Sequence, residues 1–166
     1  GKDNRPFTIG HPELLFTQLP ARDAVASGEI QRSGRAPNCS FYTHWVNTED
    51  NIQWNTDVQL EGDYRAQVYY TCSTENLGTV LQLSHGESAI TKEVSVANDP
   101  PLIGEESDRA QRRSESYVKD FIPLDLGVIH LKEGRNPLVL SAIKIPGEQS
   151  IEMRLLLLTR VIGLEE

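Results

Sequence analysis

Tyr42, His44, Asn55, Arg65, Gln67 and Tyr69 are the residues of this chain whose types and spacing could do chemistry. They fall at alternate positions of segments whose other positions are apolar. Ile52, Trp54, Val58 and Leu60 oppose Gln53, Asn55, Asp57 and Gln59. After the turn Glu61-Gly62-Asp63, Tyr64, Ala66, Val68 and Tyr70 oppose Arg65, Gln67, Tyr69 and Thr71. A period of two is the side-chain repeat of a half-buried strand, so the stretch predicts two strands of an antiparallel sheet. Phenols, amides, an imidazole and a guanidinium on the outward face form a recognition surface. Aromatic rings stack on apolar C–H faces while the polar groups bond to hydroxyls, which suits a carbohydrate. Ordinary exposed sheets carry the same residue types.

Covalent chemistry finds no such support. No G-x-S-x-G turn is present to strain a nucleophilic serine. His11, His44, His85 and His130 show neither H-x-H nor H-E-x-x-H spacing for zinc, and no glycine-rich phosphate loop occurs. The carboxylate pairs Glu49-Asp50, Glu105-Glu106 and Glu165-Glu166 sit in turns or at the chain end, where solvation explains them. A glycosidase draws its two carboxylates from distant positions, but nothing here favours one.

The elements that must position the outward face read as all-β. Strands are predicted near 27–32, 39–46, 51–60, 63–72, 78–84, 88–96, 117–122, 127–132, 136–143 and 151–162, separated by Gly, Pro and Asn turns. Short strands at this spacing without amphipathic helices indicate a sandwich or barrel. Residues 1–16, with Pro6, Gly10 and Pro12, read as an extended arm or linker, 17–163 as the sandwich and 164–166 as a tail. Within the sandwich, 97–116 is a long connection. Its Glu105/Arg109 and Asp108/Arg112 pairs have the i,i+4 spacing of a short charged helix, which fits a solvated excursion; the sharper reading has Arg109, Arg112 and Arg113 grip an anionic ligand or a neighbouring domain. Trp54 belongs in the core. Trp45 belongs either there or at the sandwich rim.

Composition excludes several classes. The 166 residues are 38% apolar and carry a formal charge of −8 without a basic stripe, which argues against nucleic acid as partner. No apolar run approaches the roughly 18 residues of a membrane helix. The start at Gly1 reads as a piece cut from something longer. Cys39 and Cys72 permit a disulfide or two buried thiols equally.

Several strings add a resemblance: LPARDAVASGEIQRSGRAPNCSFYTHW, IQWNTDVQLEGDYRAQVYYTC, NDPPLIGEESDR, ESYVKDFIPLDLGVIHLKEGRNPLVLSA and MRLLLLTRV. Their shared layout is W-x-x-x-V, then G-x-Y, then L-G-x-x-x-L-x-x-G-x-x-x-L carried by Leu126-Gly127, Leu131, Gly134 and Leu138. This layout resembles the C-terminal accessory domain of bacterial arylsulfatases, and is similar to galactose-binding-like jelly-roll carbohydrate-binding modules. The resemblance implies an antiparallel jelly-roll sandwich in a periplasmic or extracellular, polysaccharide-degrading setting, with a sulfatase catalytic domain upstream. Such modules often hold a structural calcium ion, to which Glu29 and the acidic turns would contribute, but no oxygen-rich loop motif marks a site here and no cofactor is expected; they bind sugar at a loop rim or a concave face. Sulfatase catalysis itself is not expected here, because Gln18 stands at the nucleophile position of Gln18-Leu19-Pro20-Ala21-Arg22. The expectation is therefore a non-catalytic domain that engages a sulfated or neutral polysaccharide. The alternative is a module that packs on its own catalytic domain and binds no sugar.

Overall fold

The computed structural model describes residues 6–33, 41–99 and 120–162. Twelve strands carry the fold: β1 Phe7–Ile9, β2 Phe16–Pro20, β3 Val25–Ala26, β4 Gln31–Arg32, β5 Tyr42–Thr43, β6 Asn51–Val58, β7 Gly62–Thr71, β8 Val80–His85, β9 Ser88–Glu93, β10 Ile122–Leu131, β11 Gly134–Lys144 and β12 Glu152–Arg160. They form two six-stranded sheets. The front sheet runs β10-β7-β12-β5-β4, with β2 also on β12; the back sheet runs β1-β6-β11-β8-β9, with β3 also on β6. Every pairing is antiparallel except β1 with β6. No α-helix occurs among the described residues. The expected all-β, jelly-roll-like sandwich is what the chain builds.

Alternation sorts the core as expected. Ile52, Trp54 and Val58 of the back sheet are buried, as are Tyr64, Ala66, Val68 and Tyr70 of the front sheet. One expectation is corrected: β6 and β7 do not share a sheet. A period of two shows that one face is buried but not which strand lies alongside, and the inner faces of these two are opposed across the core. The connection between them is an arch rather than a hairpin.

The sequence breaks at Pro123 and Gly127 also have a different meaning. The two short strands expected there are one ten-residue strand with a bulge between Asp125 and Gly127. Gly127 has a φ of 115° and donates its N–H to Asp125 Oδ1 at 3.0 Å, while Leu126 turns into the core. Leu131 and Leu138 are also buried, and Gly134 takes a φ of 116° where the chain reverses. The L-G-x-x-x-L-x-x-G-x-x-x-L pattern is therefore three core leucines spaced by a bulge and a turn that need left-handed backbone.

Residues of the expected arm or linker, 1–16, take part in the fold, as does the stretch that follows them. Ile9 is fully buried and its carbonyl accepts the N–H of Gln59 at 2.8 Å. Phe16–Pro20 pairs with β12 over five residues. The short apolar stretch shows no period long enough to reveal itself as strand, and its partners lie far along the chain.

The buried aromatics with polar tips follow one rule. Tyr42, Tyr64 and Tyr70 donate their hydroxyls to the carbonyls of Ala24, Leu60 and Val96, at 2.9, 2.6 and 2.6 Å. Trp45 and Trp54 donate their indole N–H groups to the carbonyls of Asp50 and Pro20, at 3.3 and 3.1 Å. Each ring fills core volume while its tip pins a connecting segment, so no polar atom is buried without a partner in these five.

Candidate functional site

The outward residues of the front sheet form a grid set by register. Across β10, β7, β12 and β2 the first row is Pro123, Tyr69, Leu155 and Pro20. The second is Asp125, Gln67, Leu157 and Gln18, and the third is Val128, Arg65, Thr159 and Phe16. All twelve are half-buried or exposed, with Phe16 58% accessible. Adjacent strands lie about 4.8 Å apart, so the first row is an aromatic and apolar ledge roughly 14 Å long running across the strands. Alternate residues along a strand are about 7 Å apart, which sets the amides of Gln67 and Gln18 along the flank of that ledge.

The grid carries one cation and one anion, and they are joined. Arg65 Nη1 donates to Asp125 Oδ2 at 2.7 Å, with both side chains about half exposed. Below Arg65, His130 Nδ1 lies 2.9 Å from Asp63 Oδ1 and its Nε2 lies 3.5 Å from Glu61. The hydrogen bond that His130 donates to Asp63, helped by Glu61, holds the imidazole pKa above its ordinary value. At the other end, Glu152 is taken up by two hydroxyls, Thr43 at 2.7 Å and Thr71 at 3.0 Å.

Of the residues expected to form one wall, the structure brings together Arg65, Gln67 and Tyr69. The others go elsewhere. Tyr42 is a correction: it is 4% accessible, pairs with Met153 on the inner side of the front sheet and spends its hydroxyl on Ala24. A two-residue strand between loops offers too few positions for parity to say which side is in. Asn55 is exposed on the outer face of the back sheet, on the far side of the sandwich, where it borders a groove of about 250 Å³ with Arg135, Asn136 and Pro137. His44 is exposed in the β5–β6 connection at a φ of 61°, and Trp45 beside it is core rather than rim. Arg109, Arg112 and Arg113 lie outside the described residues, as does Cys39.

Sequence reasoning missed the partners of Tyr69. Gln18 and Pro20 fall within the expected sandwich but before its first expected strand, and Asp125 falls in a gap between two expected strands. Leu155 to Leu158 lie in the strand expected near 151–162, but a continuous apolar run does not show which of them face outward. In fact Leu156 and Leu158 face the core, while Leu155 and Leu157 face outward. The alternation of Thr17 and Leu19 with Phe16, Gln18 and Pro20 was the available signal, too short to stand out as a period.

The back sheet offers no comparable surface. Its outward residues on β6, β11, β8 and β9 include Gln53, Val139, Ser141, Gln82, Ser84 and Thr91, with no aromatic ring among them. A polar groove of about 460 Å³ at one end of the sandwich is lined by Thr71, Cys72, Asn76, Asp99, Glu148 and Glu152 among others. Cys72 is a buried free thiol there. Among the described residues no three His, Cys, Asp or Glu side chains gather as a metal site.

No protein-family model and no curated protein sequence matches the chain. Solved structures do. A family 35 carbohydrate binding module from Clostridium thermocellum matches with a TM-score of 0.56 at 15% identity, over 88% of this chain and 98% of that one. A GH26-CBM35 β-(1,4)-mannanase from Podospora anserina matches with a TM-score of 0.54 at 11% identity, over 89% of this chain and 28% of the enzyme. The mosquito-larvicidal Cry4Aa toxin from Bacillus thuringiensis matches with a TM-score of 0.61 at 12% identity, over 89% of this chain and 24% of the toxin. At these identities the likeness is one of fold, the jelly-roll sandwich of carbohydrate-binding modules. The chain thus spans only part of several larger proteins that it matches. No described helix is long and apolar enough to cross a membrane.

Proposed function

We propose that this chain is a non-catalytic carbohydrate-binding module, working beside a polysaccharide-degrading domain outside the cell. The observation that carries the reading is the cross-strand ledge Pro123–Tyr69–Leu155–Pro20 with the amides of Gln67 and Gln18 alongside it. A sugar chain laid across the strands would rest C–H faces on the ledge and turn hydroxyls to the amides. The module folds of the neighbours support this use of the sandwich, and the sequence resemblance supports a sulfatase as the parent enzyme. Tyr69→Ala should weaken binding to a polysaccharide panel about two- to tenfold, since a stacked ring contributes on the order of 0.5–1.5 kcal/mol. Unchanged affinity in affinity gel electrophoresis or calorimetry would remove the front sheet from consideration.

A second reading has its own observation. Leu14, Leu15, Phe16, Val161 and Ile162 are each 40% to 59% accessible and gather where β2 begins and β12 ends. Exposed apolar groups of this kind suit packing against a neighbouring domain. In that role, Leu14→Ser in the full-length parent protein should loosen the catalytic domain's protease resistance and leave sugar affinity unchanged.

A further inference from the structure

We propose that Asp125 is a specificity residue, which keeps Arg65 from serving as an anion-binding group and tunes the front sheet to uncharged glycans. The proposal rests on the carbohydrate-binding reading above and narrows the ligand expected from sequence, where Arg65 was a natural partner for a sulfate ester.

Three features of the structure carry it. The first is the contact itself: Arg65 Nη1 and Asp125 Oδ2 are 2.7 Å apart on neighbouring strands. Asp125 is held for that task, because its other oxygen accepts the N–H of Gly127 in the β10 bulge at 3.0 Å. The bulge thus re-aims a carboxylate across the strand toward Arg65, one grid row away, although Gln67 is its direct cross-strand neighbour.

The second is the charge count. Among the twelve outward grid positions, Arg65 and Asp125 are the charged pair and cancel. Next along the face come Asp63 and Glu61, gathered around His130. A sulfate arriving at Arg65 therefore meets a carboxylate already in place and two more a row beyond. The chain's formal charge of −8 adds a repulsive background at low salt.

The third is what surrounds the pair. Tyr69, Leu155, Leu157, Pro20 and Pro123 favour contact with apolar C–H faces, and Gln67 and Gln18 donate and accept without charge. A hydroxyl bonds to an amide without displacing Asp125. An ester sulfate has to compete with it.

The test compares affinities of the intact chain for neutral mannan, xylan, laminarin and galactan with its affinity for dextran sulfate, at low and at physiological salt. The wild-type chain should bind at least one neutral polymer and show about tenfold weaker or no binding to dextran sulfate. Asp125→Asn keeps an oxygen for the Gly127 N–H and removes the charge. It should raise dextran sulfate affinity about fivefold, the effect of one unit charge near 4 Å in water, and the gain should fade with added salt. Wild-type binding to dextran sulfate as tight as to neutral polymers would overturn this inference and leave the binding-module reading standing. An Asp125→Asn chain that is folded by circular dichroism yet gains nothing toward dextran sulfate would overturn the role given to Asp125. Binding to neither class would overturn the module reading, and this inference with it.

Discussion

Tyr64 donates its hydroxyl to the carbonyl of Leu60 at 2.6 Å, across the arch that carries the chain from the back sheet to the front sheet. Gly10 packs against this pair. A Cβ built on Gly10 would lie 2.7 Å from the Leu60 Cβ and would also collide with the Tyr64 hydroxyl, and its φ of 90° disfavours any other residue. Three parts of the chain, near residues 10, 60 and 64, meet at one corner beside the arch that leads into β7.

Gly10→Ala should therefore cost about 2–4 kcal/mol in unfolding, from strain and overpacking together. Tyr64→Phe should cost about 1 kcal/mol, because it leaves the Leu60 carbonyl without its donor. Urea melts read both. If Gly10→Ala melts with the wild type, the corner is looser than its geometry implies.

Tyr42 and Tyr69 should separate cleanly in a paired experiment. Tyr42→Phe removes the hydrogen bond to Ala24, so it should lower stability by about 1 kcal/mol and leave glycan affinity untouched. Tyr69→Phe keeps the ring on the ledge and should preserve most affinity with little effect on stability. The reverse assignment would restore Tyr42 to the binding surface.

Two histidines should titrate in opposite directions. Burial of His85 pushes its pKa down. Thr56 Oγ1 gives its proton to the Asn136 carbonyl at 2.6 Å, so it accepts from His85 Nε2 at 3.1 Å and the neutral Nε2–H tautomer is the one held. Between the unfolded value near 6.5 and the lower folded value, the unfolded chain binds more protons. The His85 contribution is thus fully present above about pH 6.5 and is lost as pH falls through the folded value. His130, raised chiefly by Asp63, works the other way: its contribution is present below about pH 6.5 and is lost as pH rises through its folded value. Imidazole NMR titration should give midpoints on opposite sides of the unfolded value. Coincident midpoints would contradict both environments.

The Cys72 thiol should be slow to react. Burial, with Asp99 and Glu75 nearby, pushes its pKa up to about 11. At pH 8 it is almost wholly protonated, and its sulfur faces the carbonyl of Ser73 at 3.6 Å. A thiol-reactive dye should label it in the native chain at least about tenfold more slowly than in urea, since the thiolate is the attacking form. Equal rates would show that the groove around it opens freely.

Much of the fold was legible because burial writes itself into alternation. Ile52, Trp54 and Val58, and Tyr64 through Tyr70, went to the core for a reason local to each strand. The candidate site was legible only in part. Arg65, Gln67 and Tyr69 lie on one strand, so parity sufficed to put them on one face. Asn55 carries the same outward parity on a strand of the other sheet, and the same reasoning sent it to the wrong surface. Tyr42 sits in a strand of two residues, too short for a period to show.

The sequence by itself determined which side chains turn inward along each long strand, because a pleated backbone leaves successive residues no other choice. Which strands lie side by side was decided only by the tertiary structure. Register and sheet membership come from contacts between residues far apart in the chain, such as Pro20 with Leu155 and Gly10 with Tyr64. The ledge beside Tyr69 and the pairing of Arg65 with Asp125 are products of those long-range contacts, so they became visible only with the chain folded.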